Sequence, residues 1–407
     1  MSFSDPNKSV AASLAGFESP ASLRLVFGNG TVDRAGQLIR ELGGTKALLV
    51  TDLGIVAAGH ASRVAQALEG EGIAFSLFDQ VRENPTTRDV NDCVAVAQRE
   101  QVDFLIGLGG GSSMDTAKGC NFILTNGGAM KDYWGGGKAT QPMLPLIAIP
   151  TTAGTGSECQ SFALIADEAT HQKMACGDVK VAAKVAILDP ELTLSQPRRV
   201  TACTGVDAIT HAIESAVTKK RTPISKIYSR EAFRLLVDAF PKVLANEDDL
   251  ESRGAMLLGA AMAGVAIENS MLGAAHSAAN PLTAHFDMIH GQAVGMMLPH
   301  VIAFNAAEPE VQAIYAELAA IGNLTEPYSD KETAVESLVD CLQRILNDAE
   351  MLLDLETLDV NASKIATLAD EAAKQWTAGF NPRAIEATDF EQLYFAALQP
   401  ASQAVSV

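Results

Sequence analysis

This chain of 407 residues lacks a basic excess, a long apolar run and closely paired cysteines, and it holds only seven histidines. Lys and Arg total 30 against 49 Asp and Glu, a formal net charge of −19. Nucleic acids and anionic membranes attract the opposite balance, so neither is expected as a partner. The most apolar stretch, Leu257–Ala266, runs into Glu268 and Asn269 before reaching the roughly 20 residues of a bilayer span. Met1 to Pro20 is polar, carries Asp5 and Glu18 and has no apolar core, so no signal peptide is expected. The cysteines (93, 120, 159, 176, 203 and 341) form no CxxC pair and read as free thiols of a reducing compartment. A cytoplasmic address and a small-molecule substrate fit these exclusions. With 48% hydrophobic and 19% charged residues, enough apolar material is present for a substantial core.

Two rhythms divide the chain. Short apolar runs at Leu23–Phe27, Ala47–Thr51, Phe75–Phe78, Phe104–Leu108, Leu146–Ile149 and Val185–Leu188 predict strands. Between them Val32–Leu42, Ile55–Leu68 and Thr87–Arg99 show helical spacing, an alternation that predicts a largely parallel sheet flanked by helices. Beyond Pro197 the pattern turns almost wholly helical, as in Ile224–Leu244 and Glu310–Ile321. The expected organisation is an α/β domain over 1–195 and an all-α domain over 196–407, with a cleft between them. The acidic run Asp348–Asp359 reads as a solvated helix face.

Three of the seven histidines sit with a carboxylate in two short segments. Asp207 and His211 stand four residues apart, which on a helix places both on one face, about 5–6 Å apart at Cβ. His276 and His290 lie fourteen residues apart, roughly 21 Å along one straight helix. Metal ligands sit about 2.0–2.1 Å from their ion, so the chain must turn between them if all four share one. The other reading is a hydrogen-bonded helix pair and two core histidines. One carboxylate with three imidazoles would suit Fe(II), Zn(II) or another divalent metal and leave room for a substrate oxygen.

The strand Phe104–Leu108 runs into Gly109-Gly110-Gly111-Ser112-Ser113-Met114-Asp115. Glycines there permit a tight turn, and the following helix offers free N–H groups to a pyrophosphate. Gly110, Gly111, Ser112 and Asp115 are therefore candidate nucleotide contacts, although an ordinary strand-to-helix turn has the same look. A second loop, Pro150 to Glu158, adds Thr151, Thr152 and Thr155. Asp52 ends a strand where it could accept from a ribose diol, favouring NAD over NADP, or could cap the next helix. It precedes the glycines by 57 residues, whereas the common fingerprint places the acid about 20 residues after them.

Taken in order, Gly109–Lys118, Ile149–Glu158, Gly205–Glu214 and His276–His300 resemble the iron-dependent, or group III, alcohol dehydrogenases, over most of the chain. The resemblance implies NAD and iron as cofactors, with Asp207, His211, His276 and His290 as metal ligands. It also implies nucleotide contacts at Asp52, Asn84, Gly111, Ser112, Thr151, Thr155, Leu164 and Lys173. A dimer or larger homo-oligomer is expected on the same ground. One departure stands out. Many members carry a histidine four residues after the third ligand and credit it with proton transfer; here Asn280 stands there, and an amide cannot act as acid or base near neutral pH. Water, a ribose hydroxyl or His285 is the expected substitute. Ala275, Ala278, Ala279 and Phe380 suggest a small apolar pocket for a short primary alcohol, diol or aldehyde. Two other readings are a dehydroquinate-synthase-like lyase and a non-catalytic nucleotide sensor. The lyase would need cationic side chains, and residues 200–216 and 265–300 contain no Lys or Arg.

Overall fold

The computed structural model describes residues 23–170, 172–326, 328–351 and 362–398. The eight strands among these are β1 (Arg24–Phe27), β2 (Lys46–Val50), β3 (Ala74–Phe78), β4 (Phe104–Gly109), β5 (Leu146–Pro150), β6 (Phe162–Ala166), β7 (Lys173–Gly177) and β8 (Val185–Leu188). Six form one parallel sheet in the order β1-β8-β5-β4-β2-β3, while β6 and β7 pair separately as an antiparallel hairpin. Every residue of β4, β5 and β8 is buried, as expected of parallel strands covered on both faces, and their sequences are accordingly near-continuous apolar runs.

The order of strands locates a crevice. From β2 the chain moves outward to β3 at the edge, then crosses back past β2 to β4. Connections leave β2 and β4 in opposite directions, which opens a gap at their C-terminal ends, the usual ligand position in such sheets. Asp52 and Gly109 flank that gap.

Helices of this half are α1 (Ala35–Glu41), α2 (Leu53–Ala57), α3 (His60–Gly70), α4 (Thr87–Glu100) and α5 (Gly111–Asn126). The helix predicted at Val32–Leu42 begins instead as a tight 3-10 turn, Thr31–Arg34. The one predicted at Ile55–Leu68 breaks in two at Gly59, whose φ of 85° is left-handed and cannot continue a helix. The hairpin β6–β7 was not foreseen, because Phe162–Ala166 and Lys173–Gly177 are short runs without a clear period.

From residue 198 onward all regular structure among the described residues is helical: α6 (Arg198–Val217), α7 (Pro223–Ala245), α8 (Leu250–Glu268), α9 (Ala274–Phe286), α10 (His290–Asn305), α11 (Pro309–Ile321), α12 (Lys331–Asp348), α13 (Ala362–Ala373) and α14 (Ala387–Leu398), with a 3-10 segment at Trp376–Phe380. Most of the acidic run Asp348–Asp359 lies outside the described residues. Among the described helices α8 alone is long and apolar enough to cross a membrane by length and composition, yet 67% of its apolar window is buried in protein. It packs on α7, where Gly259 lets the Leu236 side chain approach; a Cβ there would meet Leu236 Cγ at 2.8 Å. The main apolar core takes in Ala153, Cys159, Ala186 and Leu188 alongside the helical residues, so it runs on from the helices into the α/β half. All six cysteines are buried free thiols.

Candidate active site

Asp207 and His211 occupy consecutive turns of α6, a helix buried almost all round. His276 lies in the first turn of α9, and α9 ends at Asp287, whose φ of 50° reverses the chain. His290 then opens α10. That break resolves the 21 Å separation a single helix would impose. Around Asp207 Oδ1 the ring nitrogens gather: His211 Nε2 at 3.4 Å, His276 Nε2 at 3.4 Å and His290 Nε2 at 4.0 Å.

The two 3.4 Å distances fit a shared ion, and His290 at 4.0 Å stands slightly wider. Ligand atoms about 2.0–2.1 Å from a tetrahedral centre lie about 3.3–3.4 Å from one another. Asp207 Oδ1 and His276 Nε2 are buried and have no hydrogen-bond partner, a costly state that a cation between them would relieve. Burial raises the Asp207 carboxyl, but the three rings override it and hold the group ionised. Burial keeps His211 and His290 low and therefore neutral, with nitrogen lone pairs free to ligate.

A further carboxylate sets the ring orientation. Glu214, seven residues after Asp207 on α6, accepts from His276 Nδ1 at 2.6 Å and from Ala275 N at 2.7 Å. Burial opposes protonation of His276, and the Glu214 and Asp207 charges together raise it. With its Nδ1 proton held by Glu214, the ring turns Nε2 toward Asp207, the arrangement by which outer carboxylates fix metal-ligating histidines. His211 Nδ1 lies 3.3 Å from the Gly154 carbonyl. Gly154 has no side chain for a reason: a Cβ would lie 2.5 Å from Thr204 Cβ. Glu214 was quoted in the sequence motif without a role; its signal was the i, i+7 spacing from Asp207, which returns to the same helix face.

At the crevice, Gly109 has φ 140°, and a Cβ there would lie 2.5 Å from Ser113 Oγ and 3.6 Å from Asp52 Oδ2. Gly110 and Gly111 face Thr152 and Thr155, which a Cβ would meet at 3.5 and 3.0 Å. Thr151 N donates to the Gly109 carbonyl at 3.0 Å, so the two candidate loops abut. No side chain caps α5, leaving its first N–H groups, including that of Ser112, open to an anion. Asp52 caps α2 by accepting from Ile55 N at 3.0 Å through Oδ1, while its Oδ2 faces the crevice. Asn84 has a left-handed φ of 53°, and the next carbonyl, that of Pro85, accepts from Ala166 N at 2.9 Å. This sets the Asn84 turn beside β6, which carries Leu164. Lys173 starts β7 and lies near enough to lower both His290 and Asp115 electrostatically. The charge of Lys173, on a hairpin outside the two Lys- and Arg-free windows, is thus felt at His290 without contact.

The expectation for Asp115 is corrected. It is buried with both oxygens occupied inside the protein: Oδ1 accepts from Ser157 Oγ at 2.8 Å and Oδ2 from Leu164 N at 3.2 Å. Beside it the fully buried Lys118 donates to Ser157 O at 2.7 Å, Ser157 Oγ at 2.8 Å and Phe162 O at 2.9 Å. Asp115 thus braces the 150s loop from a buried position, each oxygen turned to a donor within the protein. His285 is also misplaced for proton transfer. It lies nine residues from His276 on α9, roughly 13 Å along the axis, half-exposed and paired with Glu371 at 2.8 Å. Ala275, Ala278 and Ala279 are fully buried and belong to the helical core. Asn280 is half-buried one turn after His276, its Nδ2 donating to Gln375 Oε1 at 3.1 Å.

Residues 22–190 match the family described as iron-containing alcohol dehydrogenase, and residues 201–398 match the C-terminal part of that family. The NAD-dependent methanol dehydrogenase of Bacillus methanolicus is 36% identical over 380 residues, covering 93% of this chain and 98% of that protein. The 1,3-propanediol dehydrogenase of Klebsiella pneumoniae is 34% identical, covering 88% and 92%. A crystal structure of a 1,3-propanediol oxidoreductase superposes with a TM-score of 0.90 at 30% identity, over 94% of this chain and all of that one.

Proposed function

Given that this chain belongs to the iron-containing alcohol dehydrogenase family, and so is an NAD-dependent, metal-dependent oxidoreductase, we propose that it interconverts a short, uncharged primary alcohol or diol and its aldehyde. Asp207, His211, His276 and His290 would hold a divalent iron, and Glu214 and the Gly154 carbonyl orient two of the rings. A metal bound there supplies Lewis-acid polarisation of the alcohol or carbonyl oxygen. The observation that carries this reading is the pair of orphaned buried atoms, Asp207 Oδ1 and His276 Nε2, at the centre of the cluster.

NAD would lie along the crevice between β2 and β4. Gly110, Gly111 and Ser112 present backbone N–H groups to its phosphates, and Thr151, Thr152 and Thr155 close over them. Asp52 Oδ2 is available to a ribose diol and would repel a 2′-phosphate, favouring NAD over NADP. Asn84, from the turn before α4, and Leu164 and Lys173, from β6 and β7, would border the same space. The division at 195/196 falls in the short link before α6, and the work of the site is shared between 1–195 and 196–407. A proton leaving the alcohol would have to pass to water or to a ribose hydroxyl of bound NAD, since Asn280 cannot take it and His285 is turned to Glu371. We place the protein in the cytoplasm, in line with its acidic composition and free thiols, and expect a homodimer or larger homo-oligomer on the ground of its family alone.

The test is iron content of anaerobically purified protein together with NADH formation on methanol, ethanol, 1,3-propanediol and 1,2-propanediol. About one iron per chain, with turnover lost on chelation and restored by ferrous ion, is the expected result. Full turnover by metal-stripped protein would overturn the assignment.

A further inference from the structure

The 3-10 segment Trp376–Phe380 contains one of the chain's two tryptophans, with an indole that is 47% exposed. Its position is built. Gln375, just before it, receives the Asn280 amide, and Thr377, just after it, lies 2.7 Å by Oγ1 from Ser277 Oγ. Ser277 follows His276 and Asn280 is one turn further on, so both anchors hold the segment that bears the indole against the part of α9 that carries the third histidine. Phe380 stands edge-on to the indole at 5.9 Å and 89°.

Across from it stands Phe162 of β6, with ring centroids 6.3 Å apart. This ring too has a prepared seat. A Cβ on Gly177 of β7 would lie 2.3 Å from Phe162 Cε1, so only glycine admits the ring there. Along β6, Phe162, Leu164 and Ala166 share the half-buried face, whereas Ala163 and Ile165 point into the core. The Phe162 ring therefore stands on the strand face that carries Leu164, and it meets an indole pinned to the α9 end that carries His276. The contact joins the α/β half to the helical half.

We infer that the Phe162–Trp376 contact is the substrate-side gate of the site, an aromatic wall that sets the length of carbon chain admitted. The inference rests on the dehydrogenase reading above and adds a specificity determinant to it. Aromatic faces favour an apolar tail and offer no hydrogen bond to a second charged group. Each methylene that fits or is refused in an apolar pocket changes discrimination by about 10–200-fold, so removing one ring shows as altered chain-length preference.

The test compares kcat/KM for 1-hexanol and ethanol in the iron-loaded wild type, Phe162→Ala and Trp376→Ala. The hexanol-to-ethanol ratio is expected to rise at least about tenfold in either variant, with iron content and the KM for NAD unchanged. Phe162→Leu and Trp376→Phe, which keep most of the packing, should give intermediate ratios and serve if the alanine variants fold poorly. A second readout uses Trp134→Phe, which leaves Trp376 as the sole tryptophan. Its emission should shift as the unreactive aldehyde mimic isobutyramide is added to the iron-loaded protein with NADH, and Phe162→Ala in that background should weaken the shift. Equal losses on both alcohols with an unchanged ratio, or emission blind to the mimic, would overturn the gate. If the wild type forms no NADH from any alcohol, the dehydrogenase reading fails, and the emission titration still decides whether the gate faces the bound mimic.

Discussion

Replacing Glu214 with glutamine isolates what the outer carboxylate does for the metal site. Glu214 accepts from two donors, His276 Nδ1 at 2.6 Å and Ala275 N at 2.7 Å, and glutamine of the same shape has only one acceptor oxygen. If that oxygen stays on Ala275 N, the amide NH2 faces Nδ1, which must become an acceptor. The His276 proton then moves to Nε2, the atom facing Asp207 Oδ1, and a protonated nitrogen cannot ligate. If the oxygen turns to His276 instead, the Ala275 N–H is left buried without a partner, a loss of about 1–3 kcal/mol. The first route predicts metal held about 10–100-fold more weakly, the range for outer-shell substitutions, and the stronger hydrogen bond to the ring is the one that the carboxylate is placed to keep.

The assay is anaerobic titration with a chelator, following bound iron by elemental analysis and turnover by NADH formation. Glu214→Gln should release iron at about 10–100-fold lower chelator and recover most of its rate in excess ferrous ion, because the four ligands remain. A depletion midpoint equal to that of the wild type would refute the argument, since it would mean that the His276 tautomer does not depend on Glu214.

Three further expectations follow from buried groups. Burial pushes the Glu158 carboxyl from 4.5 up to about 7, so the folded chain holds a proton that the unfolded chain has released. Stability should fall as pH rises across that window and level off above it, by up to about 3 kcal/mol, and urea midpoints of wild type and Glu158→Gln should differ in slope there; parallel curves would contradict the assignment. Lys118→Met removes a buried ammonium and leaves Asp115 without its cation, so the denaturation midpoint should drop by the equivalent of about 3–5 kcal/mol, and a loss below about 1 kcal/mol would count against the bracing role. Gly291→Ala would place a Cβ 2.0 Å from the Cys203 carbonyl, pushing α10 off α6 next to His290. It should cost about 1–3 kcal/mol and lower iron content in the same preparation, and a wild-type melting temperature would contradict it.

What could be read from sequence followed from patterns that stay local. Helical spacing on α6 set Asp207 and His211 on one face, and the apolar run of β4 delivered Gly109–Gly111 to the end of a buried strand. Asp115 was misjudged for a local reason too: Ser113 through Phe122 are all buried, so α5 has no polar face by which a period could show which way a side chain points. Nearness to the glycines in sequence said nothing about direction. The 3-10 start at Thr31 and the break at Gly59 turn on single backbone angles, which hydrophobic spacing does not record.

The remaining features depend on pairings between distant segments. The charge of Lys173 is felt at His290 because a hairpin of short alanine-bearing runs, which no sequence period marks, carries it to that side of the site. The Ala275, Ala278 and Ala279 set reads as a small-residue pocket in one dimension, but those residues face the helical core, where small size permits close packing rather than room for a ligand. Asn280 shows the limit most directly. Its inability to carry a proton follows from its chemistry alone, but its partner Gln375 lies 95 residues away. Only when the 3-10 segment docks on α9 does Asn280 become an anchor for Trp376, and loss of a proton carrier there comes with a fixed aromatic wall.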